Sequence, residues 1–372
     1  MKALSDKALK CLHRLAEADV IFWLMPPLMI LLTYGTIAQR WMGLYGALKT
    51  YFSSFYFFAG PIPLPGGFTL LGIMSFCLLI KFLLKSTWTR AKAGINLAHL
   101  GALTLLIGGL VTALYAKESY MLIPEKGQTP YIYDYHKHEL LIFKNTQQLM
   151  SAPYSTLEKA NFEQAPFKIK VLEKFENVDI LPRDEHIDAN TTYQGMARFM
   201  HLTAKKPEKE PEENIAGLTL SIENPYNEEQ SGTYIAFSGM PNPIALSGEN
   251  AEDEYKIIFG KAQQRLPFTL TLVDFVKDSY EGMDMAKSYH SDVIVTDGDV
   301  SWPVRIEMNA PLRYRGYTFY QSSFQQGENE QISILAVVKN PGWLLPYFGT
   351  LIITAGLIMH LFILIYRRRK KS

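Results

Sequence analysis

Eight histidines are the side chains in this 372-residue chain best suited to hold a metal or move a proton. His13, His136, His138, His186, His201 and His290 lie in polar sequence, and none shows an HExxH-type ligand spacing. His136-Lys-His138 comes nearest, and a surface role fits all six. His99 and His360 differ because each falls inside a long apolar run, and an ionisable group within a bilayer is costly enough to signal function. At about 1.5 Å per residue both are expected roughly 8–9 Å below the same membrane surface. Two imidazoles at one depth on neighbouring helices could share a metal or a haem iron. The other reading is that either ring snorkels or hydrogen-bonds a neighbouring helix, with no cofactor. Lys81, near the inner end of its own run, could neutralise a carboxylate of such a ligand or could simply snorkel.

Positioning these groups requires membrane helices, and the charge distribution supplies them. Lys117 to Lys339 carries 22 basic and 33 acidic residues, a net of −11, which leaves 15 basic and 3 acidic residues, a net of +12, for the rest. The basic part also holds the long apolar runs. A purely soluble enzyme is excluded, and so is a nucleic-acid binder, because the concentrated positive charge flanks hydrophobic spans.

Four stretches meet the requirement of about 20 apolar residues per span: 20–38, 68–84, 95–116 and 341–366. Pro26-Pro27 is expected to kink the first. A cleaved signal peptide is the alternative for that run, since Thr36-Ile37-Ala38 weakly resembles a cleavage site, but a second span follows too closely. Basic residues in segment 1–19, Lys85, Arg90 and Lys92 between the second and third spans, and the tail 367–372 put both termini on the cytoplasmic side. Residues 117–340 then fall outside. The expected fold is four transmembrane α-helices with a large, mainly β extracytoplasmic domain between the third and fourth.

Within that domain Phe167–Val171, Leu218–Ile222, Phe268–Val273, Asp292–Val295 and Gln331–Val338 alternate like half-buried strands. Asn224-Pro225, Asp297-Gly298, Arg315-Gly316 and Asn340-Pro341 mark turns. Pro166-Phe167 and the residues after it resemble Pro267-Phe268 and its followers, as two related sheets or two amphipathic strands by coincidence would. Lys205–Glu213 is a charged, solvated loop. The two cysteines, Cys11 and Cys77, lie outside the acidic domain, which therefore has no disulfide, CxxC pair or cysteine metal site. GxSxG, GxxxxGK[ST] and GxGxxG are absent, and no residue is assigned a catalytic role.

The stretch Asn309-Ala-Pro-Leu-Arg-Tyr-Arg-Gly-Tyr-Thr-Phe-Tyr-Gln-Ser-Ser-Phe324 closely resembles a segment of the ResB-like (CcsB) proteins of system II cytochrome c biogenesis. Pro267–Phe275, Lys287–Ser291, Asp292–Val295 and Gly35-Thr36-Ile37-Ala38-Gln39 resemble further parts of that family. The resemblance implies an inner-membrane subunit with its large domain in the periplasm. It implies a CcsA-like (ResC) partner and apocytochrome c, besides the lipid bilayer, and haem in transit rather than a resident enzyme cofactor. It also implies that His99, in the third span, is an axial ligand of the haem iron. His360 inherits no family role. In the 309–324 stretch, Pro311 and Gly316 fit turns, Tyr314, Phe319 and Tyr320 fit packing, and Gln321, Ser322 and Ser323 could satisfy buried backbone. Two further readings stand beside it: a scaffold that binds partner and apocytochrome through the β-domain without touching haem, and a membrane-anchored envelope protein unrelated to haem.

Overall fold

The computed structural model describes residues 10–371 except 161, 163, 184–191, 251, 280–285 and 327–330. It contains four helices long and apolar enough to cross a bilayer, together with a large β unit. The chain divides into a helical unit, up to Lys117 and from Val338 onward, and a β unit, Glu118–Val337.

In the helical unit, α1 (Ala18–Ala47) runs well past the expected end of the first span. Asp19 to Phe52 is helical over 34 residues, which as one straight rod would be about 51 Å long against a hydrocarbon thickness of about 30 Å. Gly43 resolves the excess. Its φ of 73° and ψ of 172° break the helix, a conformation open to a residue without a Cβ. The following wide turn, Leu48–Phe52, folds back so that the Phe52 ring covers Gly35, where a Cβ would stand 2.5 Å from Phe52 Cζ. A short hairpin, β1 (Tyr56–Ala59) and β2 (Ile62–Pro65), precedes α2 (Gly67–Ile80). α2 ends in a π-helical turn over Lys81–Lys85, and Lys85 pairs with Glu17 at 3.5 Å.

The third and fourth spans, α3 (Ala93–Tyr115) and α4 (Leu345–Lys371), make the closest helix contact in the unit. Lipid removes the hydrophobic drive for two apolar helices to meet, so close backbone approach through small residues must supply the attraction. Glycines recur every seven residues on one face of each: Gly94, Gly101 and Gly108 on α3, Gly349 and Gly356 on α4. A Cβ on Gly94 would lie 2.5 Å from the His360 nitrogen, and one on Gly101 would lie 2.7 Å from the Gly349 oxygen. A Cβ on Gly356 would lie 2.5 Å from the Ala98 nitrogen. Near the far end, Asn340 Nδ2 donates to Thr112 Oγ1 at 3.1 Å and the Gly342 amide donates to Asn340 Oδ1 at 2.8 Å.

The β unit is built around two long bent strands, β4 (Gln128–Lys144) and β12 (Glu254–Ser279), paired antiparallel with register shifts at Lys261/Gln263 and Arg265/Leu270. They belong to one large sheet in the order β14-β13-β12-β4-β3-β17-β16-β15. Its other members are β3 (Lys117–Pro124), β13 (Ala286–Asp297), β14 (Val300–Glu307), β15 (Leu312–Tyr314), β16 (Tyr317–Gln326) and β17 (Gln331–Lys339). β5 (Gln147–Pro153) and β11 (Ile244–Ser247) add to it beside β4 and β12. A three-stranded sheet of β6 (Lys168–Phe175), β9 (Gly217–Glu223) and β10 (Gly232–Phe237) is separate, as is the pair β7 (Val178–Pro182) and β8 (Met200–Ala204).

The bend divides the apolar interior. One core packs Leu218, Leu220 and Ile222 of β9 against Leu140, Ile142 and Ile257 of the long strands. A second gathers Met121, Leu270, Val295, Phe319 and Leu335, and a smaller third holds Val178, Leu202, Ile235 and Phe237. Phe167 and Phe268, the two residues whose surroundings look alike in sequence, are each 3% exposed and fall in different cores.

The glycine contacts yield a direct test. Gly101→Val must push α3 away from α4, whereas a Cβ on Gly72 of α2 meets nothing within 4 Å. Thermal unfolding in detergent micelles is expected to fall by several degrees for Gly101→Val. Gly72→Ala should hold or slightly raise it, because alanine is the better helix former. Equal midpoints for the two variants would remove the glycine face as the source of cohesion.

Candidate functional site

Helix geometry decides which of the predicted groups meet. On α3, successive residues turn by about 100°, so His99 stands roughly 140° around the helix from Gly94 and 160° from Gly101. The glycines face α4, so His99 faces away from it. It lies instead within electrostatic range of Lys81 at the end of α2. His360 is four residues beyond Gly356, about 40° around α4, and its backbone touches Gly94. It is therefore on the α3-facing side. The structure brings His99 to Lys81 and does not bring it to His360.

Depth separates the two histidines as well. Gly94 is level with His360, and His99 is five residues further along α3, about 7.5 Å of helix rise. Equal depth, expected from counting inward from the basic ends, is replaced by this offset. The count failed because α3 and α4 are set in register by their glycines and not by their flanking charges.

One turn before His99, Asn96 is 4% exposed and its Nδ2 donates to the Thr87 carbonyl at 3.1 Å. This bond ties the Ser86–Lys92 connection to α3 beside Lys81. The π-helical turn at Lys81–Lys85 widens the helix there, a distortion often found next to functional groups. Asn96 carries a signal that sequence reasoning passed over: an amide inside an apolar span needs a partner as surely as an imidazole does.

The fit of these groups to haem can be judged from the donor set. His360 Nδ1 is buried without a hydrogen-bond partner. His99 is half-buried on a face free of the α3–α4 contact, with a cation nearby. An imidazole and an ammonium suit the iron and a propionate of haem. A macrocycle cannot enter between α3 and α4, where backbones touch, so one held by His99 must lie on the outer side of α3. Among the described residues no cluster of three metal-ligating side chains exists.

Of the remaining histidines, His136, His138, His201 and His290 lie in the β unit, His13 lies in the helical unit, and His186 falls outside the described residues. His138 stacks on Phe259 with ring centroids 6.0 Å apart, and its Nε2 is buried without a partner. Burial, reinforced by the Lys261 cation, pulls its titration from the ordinary 6.5 down to about 4. Burial also lowers His136, against the pull of Glu212 at 3.7 Å. The same desolvation lowers Lys261, whose Nζ donates to the Tyr135 carbonyl at 2.6 Å. Both rings are half-buried, His136 against Glu212 and His138 on Phe259.

The 309–324 stretch builds the second core. Phe319 is fully buried and Tyr317 nearly so. Gln321 accepts from Ser291 Oγ at 2.7 Å and donates through Nε2 to the Ser323 carbonyl at 3.1 Å and to Ser333 Oγ at 3.2 Å. Ser291 and Ser333 are fully buried, so the three polar side chains satisfy one another inside an apolar core. At Arg315-Gly316 both residues have positive φ, and Asp297 Oδ2 accepts from Tyr314 Oη at 2.5 Å and from Arg315 at 2.6 Å. These are structural roles.

Residues 248–336 match the sequence signature of the ResB-like family. Over these residues the chain resembles that family. Protein NrfI of Wolinella succinogenes is 32% identical over 107 residues, which take in 28% of this chain and 12% of that protein. The chain thus spans about an eighth of the length of that relative. The ResB-like match covers β12 to β17, the second core with its Gln321–Ser291–Ser333 network, and reaches none of the membrane histidines.

His138 gives a pH-dependence with a fixed sign. Its folded value lies below the unfolded one, so as pH falls from about 6.5 toward 4 the unfolded chain takes up a proton that the folded chain refuses. Stability is expected to decline through that window. Urea unfolding followed by circular dichroism at steps across it should show a shallower decline in His138→Phe. An unchanged slope would assign the effect to other groups.

Proposed function

We propose that this protein is a subunit of a system II cytochrome c maturation complex, working with a CcsA-like (ResC) membrane partner to deliver haem across the membrane for attachment to apocytochrome c. The observation that carries the reading is the ResB-like match over 248–336 in a chain that also bears four apolar helices. The signature belongs to cytochrome c biogenesis, and the helices give a haem route a membrane to cross.

Within this reading His99 supplies an axial imidazole to the iron, and Lys81 neutralises a propionate at the rim. Because His99 faces away from α4, the second axial ligand comes from another chain, and the haem lies at the surface where α3 meets the partner. His360 holds no such position. The β unit faces the periplasm, where it receives apocytochrome c or clamps the partner. In this reading attachment is the work of the complex, and no residue of this chain is assigned a catalytic role. Haem is cargo here, and the residues of this chain orient it.

A scaffold without haem contact is the second reading, and one observation favours it: the family match is confined to the β unit. The absorption spectrum of the complex purified with its partner separates the two. His99→Ala is expected to lose the six-coordinate haem signal while the complex still assembles, and His360→Ala to retain it. A haem spectrum unchanged in His99→Ala would leave the protein a scaffold.

A further inference from the structure

We propose that the connection between the first two spans is a re-entrant β-hairpin immersed in lipid, with β1 and β2 dipping beside α1 into one leaflet and acyl chains as their covering. The heights follow from contacts. Lys85 pairs with Glu17 at one end of the α1–α2 pair. At the other, Phe52 closes on Gly35, and a Cβ on Gly67, at the start of α2, would strike the Phe52 backbone. Glu17 to Gly35 is eighteen residues, about 27 Å of helix, which nearly exhausts the hydrocarbon thickness. The base of the hairpin is held at that upper level, with the Gly66 amide donating to the Phe55 carbonyl at 2.9 Å and the Phe68 amide to the Ser54 carbonyl at 3.1 Å.

From there the hairpin runs downward. Phe57, Ala59 and Leu64 line an apolar cleft of about 290 Å³ with Pro27, Ile30 and Tyr34 of α1. Pro27 is eight residues below Gly35, about 12 Å, and a four-residue strand spans about 13 Å. The two lengths agree, so the tip at Gly60 hangs about two fifths of the way into the hydrocarbon.

The chemistry suits that depth. No charged residue occurs between Lys49 and Lys81, and Phe58 and Ile62 are 64% and 60% exposed. More telling is the edge of β2. Its register pairs Tyr56 with Pro65, Phe57 with Leu64, Phe58 with Pro63 and Ala59 with Ile62. Antiparallel residues alternate between turning their N–H toward the partner and away from it. Proline has no N–H, so Ile62 and Leu64 donate inward and both outward positions, Pro63 and Pro65, present no donor. Hydrocarbon penalises both the unpaired N–H and the unpaired C=O groups of an open strand edge; on β2 the outward donors are missing, and only the carbonyls of Pro63 and Pro65 remain. The other edge retains the amides of Tyr56 and Phe58, so β2 is the edge that faces the acyl chains. In water the same residues would be an exposed apolar surface with no compensating polar group.

The test is the full chain carrying Cys11→Ser, reconstituted in vesicles of phosphatidylethanolamine and phosphatidylglycerol, with a nitroxide at Phe58→Cys. Cys77 is fully buried and does not take the label. Leu110→Cys on α3 gives the lipid reference and Lys168→Cys in the β unit the aqueous one. The Phe58 label is expected to collide with oxygen and to be shielded from a water-soluble nickel chelate, as at Leu110. Adding Pro63→Ala and Pro65→Ala restores two amides and is expected to move the label toward nickel accessibility. Nickel accessibility like that of Lys168 in the parent hairpin would overturn the proposal, and so would a label shielded from both reagents, which would mean a protein covering.

Discussion

Close contact between α3 and α4 is the constraint on which the rest of the membrane unit depends. Two apolar helices in lipid gain little from meeting unless their backbones approach closely enough for dispersion and weak carbonyl contacts to accumulate. Gly94, Gly101 and Gly108 on one helix and Gly349 and Gly356 on the other make that approach possible along the whole seam. Seven-residue spacing keeps each set on one face, as in a supercoil seam. The contact also sets the register of the pair, and register in turn fixes where every polar side chain on these helices can point. It joins segments more than two hundred residues apart in sequence. Within the β unit the first and last strands, β3 and β17, are likewise neighbours.

Seen from that seam, the positions of His99 and His360 cease to be a matter of counting from the membrane surface. His360 is held against Gly94 with one ring nitrogen buried and unpaired, and its surroundings are set by α3. His99 is turned to the opposite side, toward α2 and Lys81. A column of glycines thus binds one pair of helices and turns His99 to the side of α3 that faces α2 and Lys81, where a half-buried imidazole is costly unless it gains a partner.

Much of this was legible in the sequence, and the failures have physical causes. Apolar runs located four helices because length and composition suffice for that. Alternation found β strands in the middle region for the same kind of reason, and Phe167 and Phe268 were visible as the first residues of two such strands. The segment after Arg40 was different. It lies outside the expected spans, yet it is helical to Phe52 and then forms a hairpin. Helix and strand periodicity both vanish when every face is apolar, so Leu48 to Pro65 carries no pattern to read. The glycine spacing was present in the sequence all along. What it could not reveal alone was its partner, since pairing Gly101 with Gly349 is a tertiary fact. The β core holds a comparable case: Gln321 was recognisable as a polar residue in an apolar context, but Ser291 and Ser333, which satisfy it, come from two other strands.

The separation of signature from site has a consequence for how this protein can act. The segment that ties it to the ResB-like family is a β core whose polar groups satisfy one another, and such a core offers nothing to a ligand. Among the described residues His99 and Lys81 come together on apolar helices, while the other imidazole of these helices is turned into the α3–α4 seam. On the function proposed above, haem binding at His99 would draw on what a second chain brings, so that cargo binding and complex assembly become a single equilibrium.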